Sequence, residues 1–225
     1  MKRGLKGFAF LVSGLVLGII AALKRDTIFD TVATIISVIG VSVPSYVIAL
    51  ALSYTFGFKL KWFPMLFSAK DVFGSSVLPS ISLSMFTMAS IARFTRSEMI
   101  EVLDSDYMLL AESKGISGPA LIFRHALRNA MVVILPMIIG EFIGILGGSM
   151  IIENIFGIPG IGNLYINSIN VRDYNFFMAL NVFYTAIGLV SGIVIDISYG
   201  FIDPRIRMGS KLSLIHISEP TRLLS

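Results

Sequence analysis

Five apolar blocks, at residues 5–23, 31–56, 77–91, 131–152 and 176–202, decide what this chain can fold into. A bilayer core takes about 20 mostly apolar residues per helix, and four of the five blocks reach or approach that length. The third is short and is expected to extend into its flanks at Ser75 and Arg93. A soluble domain carries about 25% charged residues; here the figure is 14%, against 55% hydrophobic. The expected fold class is therefore all-α, a polytopic membrane protein with about five transmembrane helices. Pro44 and Pro79 sit inside or at the edge of blocks, where neighbouring helices can satisfy the backbone groups that proline frees. Kinks are expected at both.

Lysine and arginine set the orientation of such a chain. Lys24, Arg25, Arg93, Arg96, Lys114, Arg124 and Arg128 lie on one side, seven in all, and Lys59, Lys61, Lys70 and Arg172 on the other, four in all. The seven-charge side is expected to be the cytoplasm. Five spans then put the N-terminus outside, although Lys2, Arg3 and Lys6 favour the inside. A further span upstream of residue 1 would resolve that conflict, so the chain is expected to be truncated there. Read as a signal peptide, residues 1–25 would need an apolar core of only about 7–15 residues. The run is longer, and Lys24-Arg25 follows it like a stop-transfer flank. The net charge of +4 is spread over loops between apolar blocks, which suits topology better than nucleic acid. The absence of cysteine excludes disulfides, thiolate metal sites and cysteine nucleophiles.

Residues 93–130 form the one long polar connection. Loops beyond about 12–15 residues usually carry a function or their own structure. Residues 98–114 are dense in helix formers, and Gly115 stands where a C-terminal cap belongs. Ser117 can cap a second, short amphipathic helix with Pro119 near its first turn, running through Ala120, Leu121, Ile122, Phe123 and Leu127. A helix lying on anionic lipid would be mainly basic. This loop also carries Glu98, Glu101, Asp104, Asp106 and Glu112, a mixture that a protein groove tolerates.

Glu141 and Asp196 fall inside the fourth and fifth blocks, where an unpaired charge costs about 2.5–3.5 kcal/mol or more. Both are expected to face the bundle interior, either lining a translocation path or pairing with polar neighbours such as Asn181 or Ser191. The run from Glu153 through Gly157, Pro159, Gly160 and Gly162 connects two spans on the outer side, as a gate or a rigid turn. Gly140, Gly144 and Gly148 have the small-xxx-small spacing that lets helices approach closely. Catalysis finds no support. There is no Gly-x-x-x-x-Gly-Lys-Ser/Thr run for binding ATP, and neither His125 nor His216 has a metal-binding context, so no catalytic or metal residue is named.

Ala111-Glu112-Ser113-Lys114-Gly115, then nine residues, then His125-Ala126-Leu127-Arg128-Asn129-Ala130, resembles the cytoplasmic signature loop of ABC importer permeases, in particular the oligopeptide, dipeptide and nickel branch. Residues 19–25, 153–162 and 203–207, with Arg172-Asp173-Tyr174, extend the likeness over most of residues 9–207. The general family pattern has Glu-Ala-Ala before the glycine and Ile-x-Leu-Pro after it; Leu109-Leu110-Ala111 and His125-Ala126-Leu127-Arg128 stand there instead. The resemblance implies one permease domain over residues 1–207, with residues 93–130 as its cytoplasmic coupling loop. Ala111, Glu112, Lys114, Gly115, Arg124, His125 and Arg128 would then dock an ATPase. It implies ABC ATPase subunits, a second homologous permease and an extracytoplasmic substrate-binding protein as partners, in a bacterial cytoplasmic membrane. ATP would be used by the ATPase, with no cofactor bound here. A self-contained secondary transporter or channel is the alternative, and it would need an ion site on broken helices near the midplane. Residues 212–225 lack spanning length and period and are expected to be a non-native tail.

Overall fold

Apolar blocks of this length can satisfy their backbone in a bilayer only as helices, and the computed structural model, which describes residues 2–146 and 149–202, is helical wherever it has regular structure. Helix α1 runs Lys2–Leu23 and α2 runs Ile28–Ser42. Helix α3, Ser45–Leu52, continues into a π-helical segment, Ser53–Lys59. A single turn, α4 at Val72–Ser75, leads into α5, Val77–Leu103. The short α6, Asp106–Ser113, is followed by a π-helical segment, Leu121–Ala126, that passes directly into α7, Leu127–Leu146. Helices α8 (Met150–Ile155), α9 (Ile161–Asn170) and α10 (Tyr174–Ile202) complete the chain.

Among the described residues three helices are long and apolar enough to cross a bilayer unaided: Val72–Leu103, Leu121–Gly144 and Tyr174–Phe201. The pair Ile28–Ser42 and Ser45–Lys59 passes only jointly and is bent by 97°. Helix α1 has a shorter apolar stretch, Ala9–Leu23. The expected kink at Pro44 is therefore a break. Proline disfavours the helical region in the residue before it, and Val43 is extended, at φ −89° and ψ 120°. The Pro44 carbonyl then accepts from the amides of Val47 and Ile48 and opens α3. Pro79 lies in the first turn of α5, where no helical hydrogen bond is lost, and the helix runs on without interruption.

The third block proves much longer than its apolar part, since α5 carries Arg93, Arg96, Glu98 and Glu101 on its final turns. The helix expected over residues 98–114 is broken between Leu103 and Asp106, where Asp104 caps α5 with its amide on the Ile100 carbonyl and its ψ turns to 3°. The second helix of the loop is not a separate short one. It is the first part of the fourth span, which ends at Leu146 rather than at 152.

Glycines bring α1 against α5. A Cβ on Gly14 would stand 2.7 Å from the Met88 carbonyl oxygen, and one on Gly18 would stand 2.6 Å from that of Ala92. Helix α2 closes on α5 at Gly40, where a Cβ would meet that of Ala89 at 2.9 Å. The expected contact stripe on α7 is weaker. Gly140 comes near only Ile195, Gly144 has open space around it, and Gly148 lies outside the described residues. So do residues 203–225, which include the Asp203-Pro204-Arg205 run and the tail.

Two buried clusters mark the two ends of the bundle. One gathers Ala22, Met99, Met108, Ala111, Leu121, Ala126, Ala130 and Ile134. The other gathers Ala49, Leu78, Ile152, Phe156 and Ile158. Helix α10 packs on α7 and α9 alone among the larger contacts. Its Val182, Leu189, Ile193 and Phe201 are exposed, an apolar face that only lipid or another protein chain can cover.

A candidate docking hairpin and a cavity at the broken helix

Residues 93–130 build a helical hairpin with its own core. Helix α6 buries Met108 and Ala111 against Leu121 and Ala126 of the returning π-helical segment, with Met99 of α5 and Ala22 of α1 beneath. The turn between them needs glycine twice, because Gly115 has φ +82° and Gly118 has φ +61°. Gly115 donates its amide to the Glu112 carbonyl, so it ends α6 as the sequence implies. Ala111, expected on a docking surface, is instead 6% exposed and belongs to the hairpin's interior. Glu112, Lys114, Gly115, Arg124 and Arg128 are exposed, and His125 is half-buried. Sequence reasoning placed Leu109, Leu110 and Phe123 in the loop's helices but did not name them as docking residues. They are 64%, 56% and 63% exposed, and they form the apolar part of the outer surface between those charges. The signal that could have found them is the helical spacing that buries Met108 and Ala111 and so turns Leu109 and Leu110 outward.

Two arginine–aspartate pairs fasten the start of α2 to the root of this hairpin. Arg25 donates through Nη1 to both carboxylate oxygens of Asp104, at 2.6 and 2.7 Å. That hydrogen bond raises the guanidinium pKa further. Arg96 of α5 donates through Nε and Nη2 to the two oxygens of Asp30, in the first turn of α2. The Asp30 side chain is 5% exposed, and it also accepts the Asp26 amide at 3.1 Å. Thr27 caps α2 by accepting the Asp30 amide. Neither pair can be read from the sequence, because partners 66 and 79 residues apart leave no local trace.

At the other side of α2, the break at Pro44 opens a cavity of about 430 Å³ bounded by α5 and α7. Ser42, Ser45, Tyr46, Thr87 and Glu141 supply its polar groups, and Val41, Leu83 and Phe86 its apolar ones. Glu141 thus faces the bundle as expected. Asp196 does not: it is exposed on α10, away from this cavity. The neighbours expected to pair with it are engaged elsewhere. Asn181 accepts from the Tyr165 hydroxyl at 3.2 Å, and the Ser191 hydroxyl donates to the Ile187 carbonyl at 2.6 Å.

The run from Glu153 to Gly162 is a folded turn. Glu153 Oε2 accepts the amides of Gly162, at 2.8 Å, and Asn163, at 3.3 Å, and so caps the N-terminus of α9 with a carboxylate where the helix dipole favours one. Gly160 and Gly162 leave the room this needs, for a Cβ on either would fall within 2.8 Å of the Glu153 carboxylate. Gly157 turns the chain at φ +60°, and Phe156 and Ile158 enter the core beside Ala49 and Leu78. Pro159 remains exposed. The Arg172-Asp173-Tyr174 run is equally structural. Arg172 takes φ +57° after α9, and Asp173 Oδ1 accepts the Phe176 amide at 3.0 Å at the head of α10.

This arrangement of a helical bundle with a cored hairpin at one end can be compared with known proteins. The family described as binding-protein-dependent transport system inner membrane component matches residues 14–208. The dipeptide transport system permease protein DppB of Bacillus subtilis (strain 168) is 42% identical over 201 residues, covering 89% of this chain and 65% of that protein. The protein of the same name from Lactococcus lactis subsp. cremoris (strain MG1363) is 41% identical, with 88% and 64% covered. The oligopeptide transport system permease protein OppB of Salmonella typhimurium is 39% identical over 207 residues, with 92% and 68% covered. The chain thus spans about 65% of the length of the dipeptide permeases that it matches. A crystal structure of an amino acid ABC transporter with histidines shares the fold, at a TM-score of 0.66 and 19% identity over 87% of this chain and 88% of that one. With a family match over residues 14–208 and identities near 40%, the chain belongs to the family of binding-protein-dependent transport system inner membrane components.

Proposed function

We propose that this chain is the membrane-spanning permease subunit of an ATP-driven importer and forms half of a pathway for peptides. The observation that carries the reading is the hairpin of residues 93–130. It is a rigid, internally cored body at one end of the spans, with Leu109, Leu110 and Phe123 exposed among Glu112, Lys114, Arg124 and Arg128. A lone apolar patch rimmed by charge suits a protein partner better than lipid. The partner of this surface is an ABC ATPase subunit on the cytoplasmic face of a bacterial membrane. A second, related permease covers the remaining pathway surface, and a separate binding protein delivers the solute from outside. The names of the relatives, dipeptide and oligopeptide permeases, support peptides as the solute class.

The mechanism follows from how the hairpin is tied down. Movement of α6 and the turn at Gly115 reaches α7 directly, through the unbroken helix from the π-helical segment, and reaches α2 through the Arg25–Asp104 and Arg96–Asp30 pairs. ATP-driven closure of the partner subunits would therefore swing α2 and α7 together about the cavity at Pro44, opening it to one side and then to the other. The broken α2–α3 span with Glu141 beside it is also what a self-contained secondary transporter would need. Purification separates the two readings. The intact tagged permease should bring down a P-loop ATPase in stoichiometric amount, and its uptake in proteoliposomes should stop without ATP. Purification alone, with uptake driven by an ion gradient, would overturn the proposal.

A further inference from the structure

The geometry points to the cavity at the Pro44 break as a cation subsite, in which Glu141 receives the protonated amino group of the passing solute. This inference rests on the transport function proposed above and adds the chemistry of the contact. Glu141 is a half-buried carboxylate inside a spanning helix, with no ion-pair partner among the described residues. The fully buried carboxylate of the described residues, Asp30, has Arg96. The Thr87 hydroxyl bonds to Glu141 but brings no charge; a carboxylate at membrane depth is costly unless a counter-charge or water meets it, and none of the described residues that line this cavity is basic.

The surrounding groups select a cation of one kind. A primary ammonium has three donors and no acceptor, so its site needs acceptors converging from several directions. Glu141 provides two oxygens. The Ser42 hydroxyl spends its proton on the Val38 carbonyl at 2.7 Å, so toward the cavity it can only accept. Ser45 adds a hydroxyl, Thr87 holds the Glu141 carboxylate by a hydrogen bond, and Tyr46 and Phe86 add aromatic rings to the lining, a side-chain type that attracts cations. An anion would find the carboxylate and no positive side chain. A metal ion would find one carboxylate, for no group of three or more His, Cys, Asp or Glu exists among the described residues. An ammonium attached to a small organic solute fits both the donor set and a cavity of about 430 Å³. In a peptide that group is the free N-terminus.

Esterification of Glu141 by a diazoacetamide reagent, which labels carboxyl groups without passing through an adduct that an added amine would attack, tests the contact directly in the intact, purified permease, with mass spectrometry as the readout. Glycinamide, a primary ammonium without a carboxylate, should slow labelling at Glu141, whereas N-acetylglycinamide should not. In the reconstituted transporter, Glu141→Gln should lower the ratio of free-amine to N-acetylated tripeptide uptake by about tenfold, and Glu141→Asp should restore part of it. Equal protection by both compounds, no protection by either, or an unchanged uptake ratio would overturn the subsite. Resistance of Glu141 to the reagent without any added amine would also overturn it, by showing that a basic residue of another chain occupies the carboxylate. If the wild type transported no peptide, the transport function would fall, and the labelling comparison would still decide whether Glu141 binds an ammonium.

Discussion

Glu153 accepts the Gly162 amide, and Gly160 and Gly162 both crowd its carboxylate, but the two glycines are held in place for different reasons. The three atoms nearest to a Cβ on Gly160 would all belong to the Glu153 side chain, at 2.3 to 2.5 Å, whereas one on Gly162 would also meet the backbone of Met150, with its Cα at 2.5 Å. Glu153→Ala should therefore cost about 1 kcal/mol through the lost cap. Gly160→Ala should be destabilising in the wild type and nearly neutral in the Glu153→Ala background. Gly162→Ala should cost about 2 kcal/mol in either background, because a backbone cannot step aside. Thermal unfolding of the five variants, three single and two double, in one detergent checks the pattern, and a rescue of Gly162→Ala by Glu153→Ala would contradict it. The same distinction between space and conformation applies in the hairpin. A Cβ on Gly115 would have nothing within 4 Å, so what this glycine supplies is its positive φ. Gly115→Val should leave the spans folded yet lose both ATPase binding and transport, because a β-branched residue is strongly disfavoured there. Ala111→Asp should act differently from what a docking-surface role implies: it places a charge in the hairpin core, so residues 106–128 should become protease-sensitive even without the ATPase. Intact loops in that variant would show that Ala111 is not buried in the working protein. The capping role of Glu153 was not legible in the sequence because its partner amides lie nine and ten residues away, beyond the three-residue spacing by which local caps are read.

At the scale of elements, each hydrophobic block coincides with apolar helix, and the helix ends were decided by contacts that a block cannot report. Helix α5 outruns its apolar part because Arg96 finds Asp30 and because Met99 enters the hairpin core. The π-helical segment merges with α7 because Leu121 and Ala126 are buried on the same side as Ala130 and Ile134. Pro44 was legible as a disturbance, but the 97° break depends on α3 packing beside α5 and α8. The two ion pairs at the root of the hairpin should differ in weight. Asp30→Asn removes the charge from a pair in which the carboxylate is 5% exposed and the guanidinium 29%, so it should cost about 3 kcal/mol. Arg25 and Asp104 are 46% and 55% exposed, and Arg25→Ala should leave the unfolding midpoint unchanged in about 0.15 M salt. If both pairs carry motion from hairpin to α2, each substitution should still lower transport per assembled complex. Equal unfolding midpoints for Asp30→Asn and the wild type would contradict the first expectation.

For the molecule as a whole, the described chain is an open bundle whose outer faces need company. Ile35, Ile36 and Ile39 of α2, like Val182, Leu189 and Ile193 of α10, are exposed and apolar. Composition announced a membrane protein, and the charge pattern proposed its orientation, but neither could say which apolar faces meet lipid and which meet a second permease, since one chain's hydropathy is the same in both cases. The hairpin is the part of the surface for which a partner of defined chemistry is proposed. Because the chain has no cysteine of its own, Leu109→Cys, Phe123→Cys and Val182→Cys each carry a single reactive thiol. Cross-linking of these variants in membranes that contain the whole transporter tests the proposed coupling most directly. Leu109→Cys and Phe123→Cys should join the permease to an ATPase subunit, with a yield that changes when ATP is added, and Val182→Cys on α10 should not. Absence of any ATPase product from both hairpin positions, together with full ATP-dependent uptake by a Phe123→Asp variant, would contradict it.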